Sequence, residues 1–89
     1  MRETYVEAKL KNGIKKHSGL CVKLTSMKGL PDRMVLMPQG QIVFVELKTD
    51  KGKLSEIQKY RQAQLIELGF EVTTLFGARE VEEFLNAIS

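Results

Sequence analysis

At 89 residues and 10.1 kDa, with 43% hydrophobic and 28% charged residues, the chain is one globular domain, with a core modest enough that a partner subunit could help it. A single cysteine and a single histidine exclude a disulfide framework, a cysteine-based zinc site and a histidine-rich metal centre, so any metal would sit on carboxylates and carbonyls and be a hard ion such as Mg2+ or Mn2+. The net charge of +3 hides an asymmetry: residues 1–61 carry thirteen Lys/Arg against six Asp/Glu, residues 62–89 one against five, and a basic surface suits a phosphate backbone.

The opening MRETYVEAK has acids and no apolar stretch, so it does not read as a signal peptide. No apolar run is long enough to span a bilayer, and a cytoplasmic protein is the expectation. Residues 4–16 predict a helix with a loose apolar face of Tyr5, Ala8, Leu10 and Ile14, weakened towards its end by Gly13. Residues 20–25 alternate as a strand through Leu20, Val22 and Leu24, and residues 26–31 form a loop punctuated by Gly29 and Pro31. Two apolar strands follow, Arg33–Met37 and Gln41–Lys48, around Pro38-Gln39-Gly40; both are apolar on each face, which predicts the sheet centre with cover on both sides. A polar turn over 50–54 leads to a helix over 55–68, closed by Gly69. A strand over 70–76 and a helix over 78–88, with Val81, Phe84, Leu85 and Ile88 on one face, end the chain. The order αβββαβα, with a crossover between the last two strands, predicts an α/β fold: a mixed central sheet flanked by helices.

The hairpin is the informative element. Pro38 suits the first position of a type I turn and Gly40 the left-handed position of a three-residue loop, which pairs Met37 with Gln41. Counting outwards, Asp32 then lies opposite Glu46, and opposed side chains share a face about 5 Å apart at Cβ. Glu46 and Lys48, two apart on one strand, point the same way. Two carboxylates and an ammonium therefore converge at one end of an apolar sheet, where charges are unfavourable unless paired or bound to an ion. A two-residue loop would send Asp32 to the other face. An isolated Glu-x-Lys is also what a strand shows where it meets solvent; the hairpin alignment with Pro31-Asp32 is what favours a site.

Pro31-Asp32 followed by Glu46-Leu47-Lys48 resembles the PD-(D/E)xK phosphodiesterase superfamily and its restriction-endonuclease-like fold. The ordered set of Glu7, GLCVKLTS, KGLPDRMVLMPQGQIVFVELKT, KLSEIQ and LGFEVTTLF resembles the VRR-NUC family in the small stand-alone form found in bacteria and phages, from about residue 4 to the C-terminus. The resemblance implies a Mg2+- or Mn2+-dependent endodeoxyribonuclease. Asp32 and Glu46 would be metal-binding acids, the backbone carbonyl of Leu47 a further ligand, Lys48 the motif lysine, Gln58 the glutamine of the next helix and Glu7 the acid of the first helix. It also implies a homodimer acting on branched DNA such as four-way junctions.

For Glu7 and Gln58 a second reading stands beside the catalytic one. Thr4-x-x-Glu7 and Ser55-x-x-Gln58 both match the capping box, whose third side chain returns to the cap N–H. Lys48 could orient or activate a water or oppose developing charge, and the sequence does not separate these roles. Lys9, Lys11, Lys15, Lys16, His17, Lys28, Arg33, Lys51 and Lys53 are DNA-contact candidates, with Lys51 and Lys53 best placed, just beyond Lys48. Cys21, alternating with apolar neighbours, reads as an inert core residue. The alternatives to a nuclease are a non-catalytic nucleic-acid-binding module on the same fold and an interaction subunit whose acids only cap helices.

Overall fold

The computed structural model describes residues 3–88, with side chains from residue 5 onward. Helix α1 (Glu3–Lys16) is followed by strands β1 (Leu20–Lys23), β2 (Arg33–Met37) and β3 (Gln41–Lys48), helix α2 (Glu56–Glu67), strand β4 (Glu71–Phe76) and helix α3 (Gly77–Ile88). The order αβββαβα is the one the sequence predicts, and the sheet is mixed. Its spatial order is β1-β2-β3-β4, with β1–β2 and β2–β3 antiparallel and β3–β4 parallel, as the crossover through α2 requires.

Alternation along the strands decides where the core sits. Val35, Val43 and Val45 point to one face and have no exposed surface, under α1 and α3, which supply Leu10, Ile14 and Val81. The helix α3 places Val81 and Leu85 inward as its spacing predicts. Gly13 has a different role from the one expected of it. A Cβ there would overlap the Leu85 side chain, so the missing side chain lets α1 approach α3 closely, and this outweighs the helix propensity lost.

The expected cover on both sides of β2 and β3 is only half realised. On the second face Met34, Leu36, Ile42 and Phe44 stay partly exposed, and α2, which covers this side towards β4, has no buried residue. The apolar residues of α2 are scattered around the helix rather than gathered in a stripe, so it cannot seal the sheet. Phe70 stacks edge-on against Phe44, ring centroids 5.5 Å apart, and closes only the β4 side.

The hairpin register is the predicted one, Met37 opposite Gln41, but the loop is not a type I turn. Gln39 takes φ 69° and Gly40 φ 80°, whereas a type I turn keeps its second central residue at negative φ. Register follows the number of loop residues, and that number is three either way.

Candidate active site

Strand β2 begins at Arg33, and Asp32, just before it, extends its line beyond the ladder. Extending the register from Arg33 opposite Val45 puts Asp32 level with Glu46. The Asp32 carbonyl accepts the Leu24 N–H at 2.9 Å, and its Oδ2 accepts the Leu47 N–H at 2.9 Å. The carboxylate thus takes over a backbone donor of β3 that β2 no longer partners, which fixes the side chain beside the sheet end.

Glu46 is the anomaly of the sheet. It is 2% exposed, although it lies on the half-open face. Its Oε2 accepts Gln58 Nε2 at 3.1 Å and lies 3.7 Å from Lys48 Nζ, while its Oε1 is buried without a hydrogen-bond partner. Burial raises its pKa to about 7, helped by the adjacent Asp32 charge; Lys48 pulls the other way without restoring the ordinary value. Asp32, Glu46, Leu47, Lys48, Thr49, Gly52, Lys53 and Gln58 line one open cleft of about 310 Å³.

The two readings of Gln58 prove compatible because an amide has two ends. Its Oε1 accepts the Ser55 N–H at 2.8 Å while Ser55 Oγ accepts the Gln58 N–H at 3.2 Å, which completes the capping box of α2. Its Nε2 is left free to face Glu46. The cap at the start of α2 therefore orients a donor on the carboxylate.

Glu7 does not join this group. It sits on the α1 side of the sheet, its Oε2 3.4 Å from an Arg33 guanidinium nitrogen. The capping reading of Glu7 also changes, since α1 already includes Glu3 and Thr4 lies within its first turn; the Thr4 side chain is outside the described residues. Arg33 is corrected as a DNA contact. It is 8% exposed and turned to the α1 side, because it alternates with Asp32, and its pairing with Glu7 keeps it inside. Lys16 is exposed but stands at the hairpin end of the molecule, where the neighbouring His17 shares a hollow with Met37, Pro38 and Gln39. The eight residues of β3 put that end roughly 23 Å from Lys48, at about 3.3 Å per residue. Lys51 and Lys53 are exposed in the turn after β3, and Lys53 lines the cleft; Lys28 is exposed in the loop before β2, where its carbonyl accepts the Arg61 Nε–H of α2 at 3.2 Å. Cys21 packs against the core, and burial pushes its thiol pKa up, so it is a poor nucleophile.

One residue escaped the reading of the sequence. Gly52 sits so close to Lys48 that a Cβ would come within 3.2 Å of the lysine Cβ, so a larger residue there would press on the lysine stem.

The donor set suits a hard divalent cation. Two carboxylates meet with one buried oxygen unpartnered, and a cation is what would relieve both the repulsion and the missing contact. Among the described residues no group of three or more His, Cys, Asp or Glu could hold a metal, so ligands beyond Asp32 and Glu46 would have to be carbonyls or water.

A hairpin that sets an aspartate beside the glutamate of Glu-x-Lys, with a crossover helix returning a glutamine to it, makes this a nuclease fold of the PD-(D/E)xK type. The whole chain is 33% identical over 91 residues to "Putative nuclease p44" of Acyrthosiphon pisum secondary endosymbiont phage 1, of which it covers 97%. A solved structure described as a VRR_NUC domain superposes with a TM-score of 0.90 at 26% identity, over 98% of this chain and 97% of the other. No protein-family model matches the sequence. The chain belongs to the VRR-NUC nuclease family.

Proposed function

We propose that the protein is a Mg2+- or Mn2+-dependent endodeoxyribonuclease that hydrolyses DNA phosphodiester bonds, selects branched DNA such as four-way junctions, and acts as a homodimer in the cytoplasm of a bacterial or phage-infected cell. The observation that carries the reading is the buried, unpartnered Glu46 Oε1 beside Asp32, with Lys48 on the same face. Asp32 and Glu46 would hold the ion, with the Leu47 carbonyl as a third oxygen. When bound, such an ion lowers the pKa of water and offsets charge on a phosphate oxygen.

The chain's own groups divide the remaining work. Lys48 points its ammonium into the cleft, where it opposes the charge that develops on the scissile phosphate and orients the attacking water. Gln58 holds Glu46 Oε2 from the side of α2, which leaves the other oxygen unpartnered for an ion. Glu7 contributes indirectly, by anchoring Arg33 and with it the backbone that carries Asp32. Lys53 at the cleft edge and Lys51 two residues before it, with Lys28 from the loop against α2, would contact the flanking phosphates. No helix among the described residues is long and apolar enough to cross a membrane.

The test is incubation of pure protein with labelled four-way junction, flap and linear duplex, with and without Mg2+ or Mn2+. Metal-dependent cutting that disappears in Asp32→Ala and Lys48→Ala supports the reading. Binding without cutting would leave a nucleic-acid-binding module in its place.

A further inference from the structure

Among the described residues, α2 is the helix with nothing buried, whereas α1 and α3 bury Leu10, Ile14, Val81 and Leu85. Its seat therefore depends on polar ties more than on packing. Gln58 donates to Glu46 at 3.1 Å and Gln62 to Thr74 Oγ1 of β4 at 2.9 Å. Arg61, on the same side of the helix, reaches a different segment: its Nε donates to the Lys28 carbonyl at 3.2 Å, in the loop that runs from β1 into Asp32. The side chain is held before it gets there. Its Nη1 donates to Gln64 Oε1 at 2.8 Å, and the guanidinium carbon lies over the Tyr60 ring, 5.4 Å from the centroid.

Gly29 makes the second half of this contact. It takes φ 86°, and a Cβ there would fall 2.6 Å from Ile57 Cγ1 and 2.8 Å from the Ile57 carbonyl oxygen, so the loop backbone lies against the first turn of α2. Further along, loop and helix part around a hollow of about 280 Å³ lined by Met27, Leu30, Leu65 and Leu68. Close hydrocarbon packing thus does not stand in for the Arg61 bond.

We propose that Arg61 is a positioning residue for the cleft: it straps the loop that presents Asp32 to the helix that presents Gln58, and so sets the distance between the two sides of the site. Lys28 is four residues before Asp32, and Arg61 three residues, one helical turn, after Gln58. The loop leaves and re-enters the sheet at the hydrogen bond between Leu24 N–H and the Asp32 carbonyl, and the strap holds its far part to α2. A loop freed from α2 strains or frays that last pair first, and the Asp32 carboxylate then loses its hold on the Leu47 N–H. The oxygens offered to a cation come from this assembly, so its spacing sets their affinity for one. The consequence for an ion rests on the metal-site reading above; the strap itself does not.

Two measurements other than cleavage test this. In metal-free protein, amide hydrogen exchange at Leu47, whose N–H donates to Asp32 Oδ2, reports whether the carboxylate is held. Arg61→Ala should speed exchange at Leu47 at least about 10-fold while the amides of the β2–β3 ladder keep their rates. Titration of the metal-free protein with Mn2+, followed by calorimetry below the melting temperature, should show affinity at least about 10-fold weaker in Arg61→Ala, in Arg61→Lys, which keeps the charge but not the planar fork, and in Gly29→Ala, which keeps Arg61 but lifts the loop from Ile57. Leu10→Ala, in the core on the other face, should lose more stability and bind Mn2+ like the wild type. An Arg61→Ala protein with wild-type Mn2+ affinity, one whose Leu47 amide exchanges at the wild-type rate, or an equal loss of affinity in Leu10→Ala would overturn the inference. A wild type that binds no Mn2+, or binds it equally well after Asp32→Ala, removes the metal-site reading instead, and exchange at Leu47 then decides whether Arg61 holds Asp32 in place.

Discussion

On the α1/α3 side of the sheet, Val35, Val43 and Val45 have no exposed surface, and Leu10 and Ile14 of α1 are equally enclosed. On the α2 side no residue of the covering helix is buried, and the side chain of β3 that is enclosed there is Glu46, a carboxylate. One side holds the molecule together by excluding water from hydrocarbon. The other keeps a charged group out of water beside an open cleft, an arrangement with no stabilising value of its own. The contrast teaches that the packed core and the polar cleft lie on opposite faces of the same strands, alternating residue by residue: Val45 and Leu47 point to the dry side, Glu46 and Lys48 to the cleft. Substitutions at adjacent positions should therefore fail in different ways.

The largest separation is expected between Lys48→Ala and Leu10→Ala. On the proposed mechanism the first should lower metal-dependent cleavage by at least about 100-fold, since the ammonium beside Glu46 would be the cation that opposes the developing phosphate charge, while changing the melting temperature little. The second should destabilise by about 3 kcal/mol through the cavity it opens, with cleavage retained at temperatures where the protein stays folded. Parallel thermal melts and cleavage assays check both; equal loss of stability in the two variants would remove the division between faces.

A pH prediction sharpens the same contrast. Glu46 has its pKa raised from 4.5 to about 7 in the folded protein, so the folded state binds the proton more tightly than the unfolded one. Its contribution is fully present below about pH 4.5 and is lost as the pH rises towards 7, on the order of 3 kcal/mol at most. Metal-free wild type should thus lose stability across this window, Glu46→Gln should lack that component, and Mn2+ at pH 8 should restore stability to the wild type alone. Melting curves at several pH values, with and without the ion, measure it.

Smaller effects separate the two functions of Gln58. Gln58→Glu keeps an acceptor for the Ser55 N–H and should melt within a degree or two of the wild type, but it replaces the donor on Glu46 by a like charge and should impair cleavage. Gln58→Ala loses both ends and should cost about 1 kcal/mol of stability as well. If Gln58→Glu cleaves normally, the glutamine is only a cap. At the bottom of the scale, Ile66→Ala, at an exposed position on α2, should change the stability of the monomer by less than about 0.5 kcal/mol.

Much of this was legible in the sequence because it depends on local counting. The spacing of Val81, Leu85 and Ile88, the Ser55-x-x-Gln58 cap and the three-residue hairpin loop are each set by a few consecutive residues, and the loop length alone brought Asp32 level with Glu46. The inward turn of Arg33 was available to the same counting, since it alternates with Asp32, but its charge suggested a surface position that burial and Glu7 override.

Other features are properties of packing between distant segments, and no local pattern encodes them. Gly13 reads as a weak point of a helix until Leu85, brought against it by α3, shows it to be a contact. Glu7 could have reached the cleft, and only the fold puts it across the sheet, on Arg33. Lys16 and Lys53 look alike in composition and lie at opposite ends of the molecule. The sequence by itself determined the order of elements, the register of the hairpin and the pairing of Asp32 with Glu46, because these follow from backbone periodicity and loop length. Only the tertiary structure decided which face is sealed and which is left open, because that depends on whether the helices carry enough apolar surface, on the correct side, to cover a sheet whose strands are apolar on both.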